Sequence, residues 1–260
     1  MRPGRGFSRL PARRATDGVV GGHPGAFARA GVAGARGGGH VNLVQPFRRR
    51  PAIRWSLELG VIGAAAAAWA GGEYVRLRRS PSPGLEREAQ RVLNRVDRRA
   101  RELFLRPEAA GRANRTSNAL GFAAVPLACM LALGCIDGPG RALPRDLLKV
   151  LRAVLVTGAL NQVIKFVAPR ERPFAVGAPW AAGKDRFGSF FSNHTSAMTA
   201  MSSATMRLAL RHEASAWFAA PLFTLALFVG YLRIAADQHY LTDVLAGAAF
   251  GAGCGLLFTS

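Results

Sequence analysis

Five long apolar runs, separated by short basic or turn-forming segments, constrain this chain more than any other feature. They lie at roughly 117–136, 147–168, 195–211, 214–236 and 240–258. Each approaches the ~20 residues an α-helix needs to cross a bilayer. Lipid cannot satisfy backbone N–H and C=O groups, so runs of this kind become helices. A sixth and weaker candidate, SLELGVIGAAAAAWAGGEYV at 56–75, has Glu near both ends and reads as a membrane segment or a signal-type segment. The sequence therefore predicts an all-α fold: a polytopic membrane helical bundle with five or six transmembrane helices. Gly and Ala recur in the runs, which suits close helix packing in lipid. The run at 195–211 is rich in Ser, Thr and Met, and is expected to be enclosed by its neighbours.

Half of the 260 residues are hydrophobic, yet the formal net charge is +20. The Arg-rich parts flank apolar runs instead of interleaving with aromatics on a soluble fold, which argues against nucleic acid as a partner and for a membrane. Residues 1–54 hold eleven Arg, eleven Gly and one acid, and read as a disordered or targeting segment. Residues 55–116 join the weak first segment to an Arg- and Glu-rich stretch at 84–105. There Leu85, Ala89, Val92, Val96, Ala100 and Leu103 share one helical face. That helix lies on an anionic membrane surface or packs on the rest of the protein. Residues 117–260 form the third region. Cys129, Cys135 and Cys254 sit inside apolar runs without metal-type spacing, as small core residues.

The polar residues fall at the ends of the runs. Lys165 closes the second and is followed by Arg172-Pro173; Ser192-Asn193-His194 precedes the third; Arg233 closes the fourth; His239 and Asp243 open the fifth. Counting crossings puts all of them on one face of the membrane. Three cations beside a hydroxyl match the oxygens of a phosphate. His239 and Asp243, four apart, would share a helical face, with the carboxylate fixing the imidazole tautomer and leaving the other nitrogen free to attack phosphorus. His194 would protonate the leaving oxygen and later activate water. Three adjacent cations would repel a metal ion and further ligands are missing, so no metal or cofactor is expected. Taken singly, each piece has a plainer reading: Lys165 as a snorkelling anchor, Ser192 or Thr195 as a helix cap.

The three-part pattern Lys165-x6-Arg172-Pro173, Ser192-Asn193-His194 and Arg233-x5-His239-x3-Asp243 resembles the signature of the type 2 phosphatidic acid phosphatase (PAP2) superfamily, over about residues 117–258. The resemblance implies a helical bundle and metal-free phosphoryl transfer. His239 would be the nucleophile, Asp243 its orienting partner and His194 the acid–base group. Lys165, Arg172, Arg233, Ser192 and the backbone near Asn193 would hold the phosphate. Two of the three motifs depart from the family pattern. Phe191 and Asn193 stand where it has Pro and Gly, and Leu232 where it has Ser. Asn tolerates positive φ, so a phosphate-cradling backbone is expected to survive. A lost charge-assisted hydrogen bond at 232 would weaken phosphate binding by about 1.5–3 kcal/mol.

The expected function is a membrane phosphatase acting on a lipid phosphate: phosphatidic acid, phosphatidylglycerol phosphate or a polyprenyl diphosphate. The alternatives are a vanadate-dependent haloperoxidase and a non-catalytic scaffold that binds anionic lipid. No motif fixes an oligomeric state. Basic segments at 48–54, 141–152 and 207–211 lie opposite the cluster, which favours a site outside the cytoplasm, on the periplasmic face of a bacterial inner membrane. The twelve Arg at 76–115 pull the other way if the weak segment spans.

Overall fold

The computed structural model describes residues 52–78, 94–137, 142–176 and 185–259. Eight α-helices are described there: α1 Ala52–Arg78, α2 Arg95–Phe104, α3 Ala110–Ala119, α4 Val125–Asp137, α5 Ala142–Val167, α6 Asn193–Arg211, α7 Ala220–Ala235 and α8 Leu241–Phe258. A π turn, Leu120–Ala124, joins α3 to α4. The only bridge-type backbone pairing among the described residues is an isolated one between Arg170 and Gly188.

Four stretches are long and apolar enough to cross a membrane: Pro107–Ile136, Ala142–Val167, Ala216–Ala235 and Leu241–Phe258. They correspond to four of the five runs read from the sequence. The remaining run, at 195–211, becomes α6 and fails on hydropathy for the expected reason: it is the axis of the bundle. Thirteen of its positions, from Thr195 to Ala209, are buried. Its hydroxyls turn inward onto its own carbonyls, Thr199 to Thr195, Ser202 to Met198 and Thr205 to Met201, so none is left unpaired in a dry core.

The packing of α8 on α6 depends on missing side chains. Gly247, Gly251 and Gly255 repeat every four residues and so form one face of α8. A Cβ at Gly251 would collide with the Ser196 carbonyl oxygen, and one at Gly255 with Ser203 Oγ and the Ala200 carbonyl; at Gly247 it would stand 3.0 Å from the Ser192 carbonyl. Two backbones therefore meet nearly in contact, as small-residue faces permit in membranes. The weak first segment becomes α1, a 27-residue helix laid along α5. Trp69 sits where a side chain at Gly158 would go, and Gln162 where one at Gly72 would go.

The stretch at 84–105 was open between the membrane surface and packing on the protein. Residues 84–93, like most of the basic segment 1–54, lie outside the described residues. The rest, α2, docks through Asp97, Ala100 and Arg101, while Val96 and Leu103 on the anticipated apolar face stay exposed.

Gly251→Ala is expected to cost about 1–3 kcal/mol by overpacking. Gly253→Ala, whose Cβ meets nothing within 4 Å, should leave stability unchanged or slightly raised, Ala being the better helix former. Thermal unfolding of the two variants in detergent checks this; equal midpoints would refute the α6–α8 contact.

Candidate active site

His239 sits in the turn between α7 and α8, two residues before α8 begins. The turn is tight: Asp237 takes φ 57°, a conformation Asp tolerates better than most residues. His239 Nδ1 lies 2.7 Å from the Ser189 carbonyl oxygen. A carbonyl only accepts, so Nδ1 carries the proton and Nε2 presents a lone pair. Burial, then the charges of Arg172, Arg233 and Lys165, push the His239 pKa well below its usual value against the Ser189 hydrogen bond, so the ring is neutral. The Arg172 Nη1 lies 3.3 Å from that Nε2.

The expected direct contact between Asp243 and His239 is not made: the nearest approach is 3.9 Å, beyond hydrogen-bond range. The helical i,i+4 argument fails because His239 precedes α8 and does not follow its geometry. Asp243 instead caps α8 through the Tyr240 N–H at 3.0 Å and accepts the Ser189 hydroxyl at 2.5 Å. It thus holds the residue whose carbonyl holds His239. Its other oxygen takes Arg170 Nη1 at 2.6 Å, and Arg170 Nη2 reaches Asp97 of α2 at 2.7 Å. Asp97 also accepts the Thr242 N–H at 2.9 Å. Arg101, one turn on, forks onto both oxygens of Asp237 at 2.7 Å each. Helix α2 therefore grips both ends of the turn that carries His239.

The cations converge on one cavity of about 740 Å³. Lys165, Arg172, Arg233, Asn193, His194 and His239 all line it. Lys165, Arg172 and Arg233 are at most 5% exposed. Arg233 donates to Asn114 Oδ1 at 2.7 Å and Ser117 Oγ at 3.2 Å on α3, and to Gln238 Oε1 at 3.3 Å. The segment after α5 is laced to the one before α6 by Arg172 N–H to the Arg186 carbonyl and Ser189 N–H to the Arg170 carbonyl, which sets Arg172 and Ser189 on either side of His239. His194 projects from the first turn of α6; its Nε2 is buried without a hydrogen-bond partner among the described residues, and its ring meets Phe122 of the π turn edge-on at 5.3 Å. A side chain at Gly121 would stand 3.3 Å from that ring. The unwound helix thus leaves room for the imidazole.

Ser192 is not brought to the cavity. It is fully buried as the N-cap of α6, its Oγ accepting from Thr195 Oγ1 at 3.0 Å. Asn193 needs no positive φ either, because it is the first helical residue of α6. The N–H groups of this first turn, which a helix leaves unpaired internally, are what the chain offers an anion here. Sequence reasoning missed Arg170, Ser189, Asp97, Glu73, Arg76 and Asp185. Glu73 and Arg76 line the cavity from α1, and Asp185 from the segment before α6. Only Arg170, lodged between Lys165 and Arg172, carried a local signal.

Residues 146–260 match the sequence model of the PAP2 superfamily, and this segment holds Lys165, Arg172, His194, Arg233, His239 and Asp243. Among solved structures the chain is similar to the crystal structure of Aquifex aeolicus LpxE, at 21% identity, covering 65% of this chain and 96% of that one, with a TM-score of 0.47. No curated protein matches it. The matched segment is shorter than the 117–258 read from the motifs. Helices α1, α2 and α3, with Glu73, Arg76, Asp97, Arg101 and Asn114, stand outside it.

Two outcomes follow from this geometry. An imidazole whose pKa lies far below about 6.5 stays neutral as the pH falls through that value. The ring ¹⁵N signals of His239 are therefore expected to remain those of the Nδ1–H tautomer from about pH 8 to about pH 6, and an imidazolium at the lower value would refute it. Arg170→Ala, which leaves two fully buried carboxylates without their shared cation, should cost about 3–5 kcal/mol in thermal or denaturant unfolding.

Proposed function

We propose that this protein is a membrane phosphatase that hydrolyses a lipid phosphate through a phosphohistidine at His239. The observation that carries the reading is the two-ended cavity. One end holds the two histidines and the cations. The other is walled by Trp69 and Ala66 of α1, Phe122 and Pro126 beside α4, and Met198 and Met201 of α6. An anionic head on an apolar chain fits both ends at once.

In the first step His239 Nε2 attacks phosphorus, the bond to the lipid oxygen breaks, and His194 gives that oxygen a proton. In the second, water attacks the phosphohistidine while His194 takes its proton, releasing inorganic phosphate and restoring His239. Lys165, Arg172, Arg233 and the first N–H groups of α6 stabilise charge on the equatorial oxygens. Asp243 acts through Ser189 by holding the His239 tautomer. The basic ends of α5 and α6, at Arg145 and Arg211, lie at the far end of the bundle from this site, which supports a site facing the periplasm of a bacterial inner membrane.

Purified protein in detergent is expected to release phosphate from phosphatidic acid, phosphatidylglycerol phosphate or a polyprenyl diphosphate with EDTA present. His239→Ala should lose about 10³-fold or more of that activity, and His194→Ala should trap label from a ³²P-lipid on the enzyme. Full activity in His239→Ala would overturn the mechanism, and no release from any lipid would favour the scaffold reading.

A further inference from the structure

The cavity holds carboxylates as well as cations, an unusual feature for an anion site. Asp185 Oδ2 lies 2.8 Å from Arg172 Nη2, and its Oδ1 lies 2.7 Å from Arg76 Nη1. Glu73 takes the other side of Arg76 at 2.5 Å, and its second oxygen accepts Gln162 Nε2 at 2.8 Å. Gly188 leaves space for this arrangement: a Cβ there would stand 2.5 Å from Arg76 Nη1 and 2.8 Å from Asp185 Oδ1. Two of the four cationic side chains lining the cavity are thus already matched by carboxylates. The other two are not. No hydrogen bond or ion pair engages the Lys165 ammonium among the described residues. Among the described residues Arg233 is held only by the neutral oxygens of Asn114, Ser117, Asn118 and Gln238.

We infer that Asp185, with Glu73 behind it, is a specificity-determining residue that tunes the site to a phosphomonoester and against a diphosphate. The inference rests on the phosphatase reading and narrows its substrate class. A phosphomonoester carries close to two negative charges at neutral pH, which Lys165 and Arg233 balance. A diphosphate monoester brings a third charge into a space already holding two fixed carboxylates, and like charges held a few ångströms apart repel. Burial alone would raise the Asp185 pKa; Arg172 and Arg76 outweigh it and keep the carboxyl ionised, so the repulsion is present at neutral pH. Asp185 also pairs with the Arg172 guanidinium that faces His239 Nε2, so the discrimination acts where phosphorus would be attacked.

The test compares kcat/KM for phosphatidic acid and for farnesyl diphosphate, with orthophosphate and pyrophosphate as inhibitors, in the full chain in detergent. The wild type is expected to favour the monoester by about tenfold or more, and Asp185→Asn to shrink that ratio about tenfold, chiefly through KM for the diphosphate. Asp185→Glu, which keeps the charge, should preserve the preference. A wild type that prefers the diphosphate would overturn the inference, as would a ratio that Asp185→Asn leaves unchanged. If Asp185→Asn fails to fold, Glu73→Gln reads the same ratio with the same two outcomes. If neither lipid is hydrolysed, the phosphatase reading has failed on its own. The inhibitor pair, followed by thermal shift, then decides: tighter orthophosphate supports the inference and tighter pyrophosphate sinks it.

Discussion

The near-contact between α6 and α8 is the constraint on which the rest of the molecule depends. Gly247, Gly251 and Gly255 let the α8 backbone lie against Ser192, Ser196 and Ala200 of α6 and its cap. Both helices begin at the cavity, so this contact fixes the distance between the His194 turn and the His239 turn. The Ser192 N–H closes the junction by donating to the Asp243 carbonyl at 3.2 Å. Helix packing and site geometry are therefore one problem, solved by a face with no side chains.

Around that axis the charged groups are arranged in two layers with different work. Behind His239, Asp243, Arg170, Asp97, Arg101 and Asp237 form ion pairs that satisfy one another and hold a strained turn. In front of it, Lys165 and Arg233 form no ion pair with a carboxylate among the described residues. Buried cations left in this state are costly unless something anionic joins them. The stable layer supplies the rigidity. In the proposed reaction the first fixes the nucleophile's tautomer and the second takes up developing negative charge.

Much of the candidate site could be read from sequence because it sits at run ends. A membrane leaves few places for Lys165, His194, Arg233 and His239, and the number of crossings decides which side each occupies. Spacing misled where regular geometry stops. The i,i+4 rule joined His239 to Asp243, but the helix starts after His239, so Ser189 takes the bond instead. Ser192 could cap a helix or bind a phosphate; the buried start of α6 needed the cap.

What the sequence determined by itself is the helical membrane architecture and the placing of Lys165, His194, Arg233 and His239 at the ends of the runs, since hydrophobic length and the cost of burying charge act locally along the chain. Tertiary structure decided the partners. The grip of α2 on the His239 turn, the Asn114 and Ser117 cradle for Arg233, and the carboxylates of Glu73 and Asp185 beside Arg76 and Arg172 all join residues far apart in the chain. Such pairings depend on which helix faces pack together, and no local pattern encodes that.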